Sequence, residues 1–291
     1  VTINPNVTPV FSFGTSASYC AGSSVPSLPT TSTNGITGTW SPATVDNNNS
    51  GTYTFTPTAG QCATTTTFTV TINPNITPTF SFGTSASYCA GSSVPSLPSS
   101  STNGITGTWS PAAVDNNNSG TYTFTPTAGQ CATTASFAVT INPILTPSFS
   151  FGTSAGYCAG SSVPTLPTTS SNGITGTWSP ATVDNNNSGT YTFTPTAGQC
   201  ANSTTFTVTI NPNITPVFSF GTSVSICAGS TVLILPGTST NGITGSWSPT
   251  TVSNTTSGTY TFTPTAGQCA TTTTLAVTVN PNITPTFSFG T

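Results

Sequence analysis

Residues Gly35 to Cys62 read GITGTWSPATVDNNNSGTYTFTPTAGQC, placing one Trp, one Tyr-x-Phe pair and one Cys in a span whose only charged side chain is Asp46. The stretch returns three more times. Trp40 recurs as Trp109, Trp178 and Trp247, and Cys62 as Cys131, Cys200 and Cys269, a step of 69 residues without insertion or deletion. A fixed period of that size means tandem copies of one structural unit. Inside the stretch, Thr52 to Thr58 puts Tyr53 and Phe55 on one side and threonines on the other, the alternation of a half-buried strand.

Working outward, Thr64 to Asn73 alternates in the same way with Phe68, Val70 and Ile72. Ile36 and Trp40 share a face after the Asn34-Gly35 turn signal, and Trp40 is the expected core plug beside Tyr53 and Phe55. Thr8 to Gly14 and the proline-broken Tyr19 to Pro29 read as two further strands, and Thr44-Val45 as a short one, before the turn Asp46 to Gly51. No stretch repeats every 3.6 residues. These patterns predict an all-β chain, a tandem array of small antiparallel β-sandwich domains of six or seven strands with essentially no helix.

Four copies of 69 residues leave 15, and VTINPNVTPVFSFGT at the start matches VTVNPNITPTFSFGT at the end. The expected domains are 7–75, 76–144, 145–213 and 214–282. Residues 1–6 would then close a preceding copy and 283–291 open a following one, as in a segment of a longer array. The joint Asn73-Pro74-Asn75-Ile76-Thr77-Pro78 is short and carries two prolines, which favours a semi-rigid connection. With strands of ~7 residues at ~3.4 Å each plus loops, four such domains in line predict a rod on the order of 120–160 Å.

The chain has no Lys, Arg or His, and Asp46, Asp115 and Asp184 are its only acids. It cannot neutralise phosphates, so nucleic acid and anionic membrane are excluded as partners, and no apolar run suits insertion into a bilayer. Trypsin-like proteases find no site, which suits exposure outside a cell. Catalysis is excluded too, because general acid–base work needs His, Lys or paired carboxylates, and each copy has at most one Asp. No cofactor is implied.

Each copy holds two cysteines 42 residues apart. An even count in a small, weakly cored unit reads as one disulfide per domain in an oxidising compartment: Cys20–Cys62, Cys89–Cys131, Cys158–Cys200 and Cys227–Cys269. Closing a loop of that length stabilises by about 4 kcal/mol on the chain-entropy model. The rival pairing, Cys62 with Cys89, crosses the boundary between copies and leaves Cys20 and Cys269 to seek neighbours elsewhere. The pairing within copies is preferred because it makes each repeat self-sufficient.

Ser50-Gly51-Thr52-Tyr53-Thr54-Phe55 resembles the start of strand F in immunoglobulin folds, where a Gly precedes the corner tyrosine, and Trp40 matches the strand C tryptophan. Phe55 stands where that fold has its strand F cysteine. More widely, YCAGSSVP, NGITGTWSP, SGTYTFTPTAGQCA and VTINP together resemble the Ig-like repeats of very large cell-surface and gliding adhesins of Flavobacterium-like Bacteroidetes, exported by type IX secretion. The resemblance implies Ig-like domains, an extracellular, cell-surface location, and a role in adhesion or in a surface filament.

Among candidate sites, Asp46-Asn47-Asn48-Asn49-Ser50-Gly51 matches the opening of a calcium loop, with Asp46, Asn48 and Ser50 as the ligands. Position 12 is Pro57, and the fourth copy has Ser253 for the Asp, so a plain Asx turn is the preferred reading and no metal is assigned. The outward threonines could form a hydroxyl array for ice or sugar, although the β-propensity of Thr explains them alone. Near-identical copies, proline joints and the absence of site chemistry predict a structural stalk or fibre segment. Its partners would be the neighbouring repeats of the same chain, with lateral self-association. The alternative is a set of weak glycan- or surface-binding modules made useful by multivalency. The fourth copy departs at Ile226, at Val232-Leu233-Ile234-Leu235 and at Leu275, which predicts a repacked core or an apolar contact surface.

Overall fold

The computed structural model describes residues 4–287, so the outermost parts of the two expected flanking pieces, 1–3 and 288–291, lie outside the described residues. The chain divides into two compact units, Val1–Ile144 and Leu145–Thr291, each holding two four-stranded sheets. The first sheet contains β1 (Ser16–Cys20), β2 (Gly38–Ser41), β3 (Gly51–Pro57) and β4 (Thr66–Asn73). The second has β5 (Ser85–Cys89), β6 (Gly107–Ser110), β7 (Gly120–Pro126) and β8 (Ala135–Asn142). In the other unit lie β9 (Ser154–Cys158), β10 (Gly176–Ser179), β11 (Gly189–Pro195) and β12 (Thr204–Asn211), then β13 (Ser223–Cys227), β14 (Gly245–Ser248), β15 (Gly258–Pro264) and β16 (Thr273–Asn280). No helix occurs among the described residues. The chain is an all-β array of Ig-like repeats.

Every sheet has the same order, β1-β4-β3-β2 in the first. β2–β3 and β3–β4 are antiparallel, with Trp40 opposite Phe55 and Tyr53 opposite Phe68. β1 runs parallel to β4, bringing Cys20 level with Asn73. The alternation in the sequence is realised directly: Tyr53, Phe55, Phe68 and Val70 turn inward, and Phe55 and Phe68 are wholly buried. Phe11 closes the core, its ring 4.9 Å from Phe55 at 72° and 4.8 Å from Trp40. Buried aromatics in such tilted pairs contribute about 0.5–1.5 kcal/mol each beyond their area.

Three expected strands differ. Thr8 to Gly14 forms no ladder: Val7 alone bridges Ala63, and the segment ends in a turn, Gly14 N–H donating to the Phe11 carbonyl at 3.1 Å. Both phenylalanines still point inward and stack at 5.4 Å. The strand expected over Tyr19 to Pro29 lies earlier, at Ser16–Cys20, because Pro26 and Pro29 cannot donate to a ladder. Thr44-Val45 is not a strand. The second layer is therefore built from irregular segments and single bridges such as Thr31 with Thr37, and four strands per copy replace the six or seven expected.

One feature matches the immunoglobulin likeness, and a second satisfies the core tryptophan. Asp46 N–H donates to the Tyr53 hydroxyl at 2.8 Å, the corner contact, and it recurs at Tyr122, Tyr191 and Tyr260. Trp40 Nε1 donates to the Pro29 carbonyl at 2.8 Å, so the buried indole leaves no unpaired N–H. Gly38 has no substitute, since a Cβ there would run into the Thr56 carbonyl oxygen and the Phe55 ring.

Candidate functional site

The two ends of each repeat carry the chemistry. At one end, β1 stops at Cys20 beside the end of β4, where Ala21 N–H donates to the Asn73 carbonyl at 2.9 Å. At the other end, the loop between β3 and β4 presents Cys62, whose carbonyl accepts from Val7 N–H at 2.9 Å. The eight residues of β4 separate these ends by roughly 24 Å at ~3.4 Å per residue. A disulfide needs Cα atoms closer than about 7 Å.

The pairing expected within copies is therefore corrected. Cys20 is bonded to Cys131 with Cα atoms 4.9 Å apart, and Cys158 to Cys269 at 5.0 Å, so each bridge joins the strand end of one repeat to the loop of the next. Both bridges span 111 residues of sequence. Cys20–Cys62, Cys89–Cys131, Cys158–Cys200 and Cys227–Cys269 are all excluded, because parallel β1 carries its cysteine away from the β3–β4 loop of its own copy. The rival of Cys62 with Cys89 fails as well: Cys62 and Cys227 are exposed thiols, whereas Cys89 and Cys200 are disulfide-bonded.

The joint between the first two repeats is pinned beyond its bridge. Asn75 Nδ2 donates to the Ala21 carbonyl at 3.0 Å, Ile76 N–H to the Cys131 carbonyl at 2.8 Å, and Thr133 N–H to the Ile76 carbonyl at 3.0 Å. Cys131 itself adopts φ 42°, a left-handed conformation rare for a side-chain-bearing residue. Beside it Gln130 is clasped to Thr106: its amide accepts from Thr106 N–H at 2.8 Å and donates to the Thr106 carbonyl at 2.8 Å. The second unit repeats these hydrogen bonds with Asn213 on Ala159, Ile214 on Cys269 and Gln268 on Thr244, although Cys269 is not left-handed. Sequence reasoning passed over these glutamines. The signal available was the invariant Gln-Cys pair in a loop otherwise made of small residues.

Asp46, Asn48 and Ser50, the residues of the calcium reading, are engaged in hydrogen bonds of the protein's own. Asp46 Oδ1 accepts from Asn48 N–H at 2.7 Å and Oδ2 from Asn49 Nδ2 at 2.9 Å, while Ser50 Oγ accepts from Ile72 N–H at 2.9 Å. The carboxylate closes its own loop as an Asx turn. Donation from the Asn49 side chain, then from Asn48 N–H, holds the Asp46 pKa below 3.8, and Asp115 and Asp184 behave alike. Among the described residues no three His, Cys, Asp or Glu side chains gather as a metal site.

The outer face of the first sheet is a hydroxyl surface, with Thr39 opposite Thr56, Ser41 opposite Thr54, Thr54 opposite Thr67 and Thr52 opposite Thr69. In the fourth copy Leu275 fills the Phe68 position, fully buried, and Leu233 and Leu235 pack against the core, while Ile234 is 85% exposed.

No known protein family's sequence profile matches the chain, and no curated protein does. Solved structures similar in part are immunoglobulin domains 1–5 of Sidekick-1 (TM-score 0.23, 14% identity, 94% of this chain and 81% of that one) and an I-band fragment of titin (0.28, 12%, 97% and 100%). The insect immune protein hemolin is a third (0.24, 10%, 82% and 84%). At these TM-scores the likenesses add nothing to the fold assignment, which rests on the strand order and the tyrosine corner.

Proposed function

We propose that this chain is a structural segment of a large extracellular, adhesin-like protein: a stalk or surface fibre of Ig-like domains at 7–75, 76–144, 145–213 and 214–282. The observation that carries this is the bridge from Cys20 to Cys131, repeated by Cys158 and Cys269, which spends cysteines on joints rather than on domains. A joint so closed transmits tension through a covalent bond as well as through the chain. The near-absence of charge and the resemblance of the repeats to surface adhesins of Flavobacterium-like Bacteroidetes support a cell-surface site, type IX export and non-enzymatic work. Small-angle scattering of the oxidised chain tests it. A rod of the expected length has a radius of gyration of about 35–46 Å, a compact chain of this size about 19 Å; the lower value would refute the stalk.

The hydroxyl face favours a second reading, multivalent glycan or surface binding. Comparing one, two and four repeats on immobilised polysaccharide decides it: affinity should climb with repeat number, and a flat response removes the reading.

A further inference from the structure

Where the first copy reads Val25-Pro26-Ser27-Leu28-Pro29, the fourth reads Val232-Leu233-Ile234-Leu235-Pro236, and the proline it lacks is present in the other copies as Pro95 and Pro164. Among the described residues none bonds a main-chain group of residues 231–235, whereas Gly237 and Ser239 just beyond bond Gly245 and Ile243. Burial along the segment nevertheless alternates as in a strand. Leu233 and Leu235 pack against the core, while Val232 is 47% exposed and Ile234 85%. Pro236 biases Leu235 toward extended backbone as well. The segment is thus an edge strand whose donors and acceptors are unmatched. Proline is a device by which proteins blunt such edges, and Leu233 removes it. We propose that a second copy of this chain pairs with this edge, antiparallel and about a two-fold axis, through its own residues 231–235.

The exposure does not come from the place of this repeat in the chain. Ser27 and Thr165, which stand where Ile234 does, are exposed although each is followed by a repeat bridged to its own. Residues 24–28 and 162–166 likewise receive no main-chain hydrogen bond from the repeat that follows.

Parity sets the register. When a sheet extends about a two-fold axis, outward residues stand opposite outward ones, so Leu233 faces Leu233 and Val232 faces Ile234. This centring matches all five residues. The two Leu233 residues exchange both N–H···O bonds, Thr231 does the same with Leu235, and Val232 with Ile234 forms the closer, non-hydrogen-bonded pairs. Such β-branched cross-strand pairs stabilise a sheet. The same match names the occupant. The first three repeats are barred by Pro26, Pro95 and Pro164, and they hold all three acids of the chain, so two fourth repeats meet without like charges. An interface that uses one patch on both chains closes at two.

The test is sedimentation equilibrium of the intact chain with Cys62 and Cys227 alkylated, so that no thiol links two chains. A reversible monomer–dimer equilibrium is expected. Leu233→Pro gives the fourth repeat the residue with which its sisters fold, and should weaken the dimer about tenfold or more, the equivalent of 1.4 kcal/mol. Ile234→Lys, at a site too exposed to disturb the core, should weaken it likewise by charging the edge. In the wild-type dimer the amide protons of Thr231, Leu233 and Leu235 should exchange more slowly than in the monomer. A chain that stays monomeric or grows past two, a dimer indifferent to either substitution, or one whose three amides exchange as freely as in the monomer would overturn the proposal. It stands on this edge and not on the stalk reading, so a compact shape in scattering and failure here are separate results.

Discussion

Cys20 and Cys131 lie with their Cα atoms 4.9 Å apart although 111 residues and a repeat boundary separate them, while Cys20 and Cys62 of the same repeat stand at opposite ends of β4. Each repeat is thus left to its aromatic core for its own stability. Phe55 occupies the position where immunoglobulin domains carry a strand F cysteine, and its burial against Phe11 and Trp40 releases the cysteines for the joints.

Alkylation without reduction should modify two cysteines, Cys62 and Cys227, and after reduction all eight. Intact mass should accordingly rise by six hydrogens on reduction, matching the six bonded cysteines. A rise of eight, or a peptide linking Cys20 to Cys62, would contradict the joint bridges.

Cys131→Ser should lower stability by about 2–4 kcal/mol, because the bridge no longer restricts the unfolded chain. The aromatic cores remain, so near-ultraviolet circular dichroism should be unchanged at low temperature while scattering reports a looser joint. Chemical denaturation of the pair of variants Cys20→Ser and Cys131→Ser should give the same loss for each alone and for both together.

Gly38→Ala should cost about 1–3 kcal/mol through overpacking, since the new methyl meets the Thr56 carbonyl and the Phe55 ring. Gly35→Ala should be milder in contact terms, its strain coming from φ 84° alone. Thermal unfolding of both variants would show whether steric approach outweighs backbone strain.

Tyr53→Phe removes the acceptor of the Asp46 N–H and should cost about 1–3 kcal/mol. Tyr260→Phe should behave the same although residue 253 is Ser, because the bond is to the backbone.

Acid should act on three repeats and spare the fourth. The Asp46, Asp115 and Asp184 pKa values are depressed, so their loop bonds contribute fully above pH 3.8 and are lost as pH falls through the lower folded values. Amide resonances of Asn48, Asn117 and Asn186 should titrate below pH 3.8, whereas Thr255, held by Ser253 Oγ, should not move. A titrating Thr255 would mean the loops respond to something other than the carboxylate.

Much of the repeat is legible from residues alone. β3 and β4 alternate so cleanly that Tyr53, Phe55, Phe68 and Val70 declare their side, and the Asx turn at Asp46 follows from its own side-chain chemistry. Ser16–Cys20 escaped because its Ser-Ala-Ser-Tyr-Cys composition carries little apolar contrast, and Thr8 to Gly14 misled because inward phenylalanines two apart imitate a ladder that prolines and a turn prevent. The clasp of Gln61 on Thr37 was invisible, joining residues 24 apart through amide geometry rather than pattern.

By itself the sequence determined the 69-residue unit, the all-β class, the aromatic core and the lack of charged chemistry, since these follow from periodicity and composition. Only the tertiary structure decided which cysteines meet. Even counts and short spacings favour closure within a repeat, but the parallel alignment of β1 with β4 puts Cys20 at the far end of the domain, and proximity in space, not in sequence, selects the partner of a thiol.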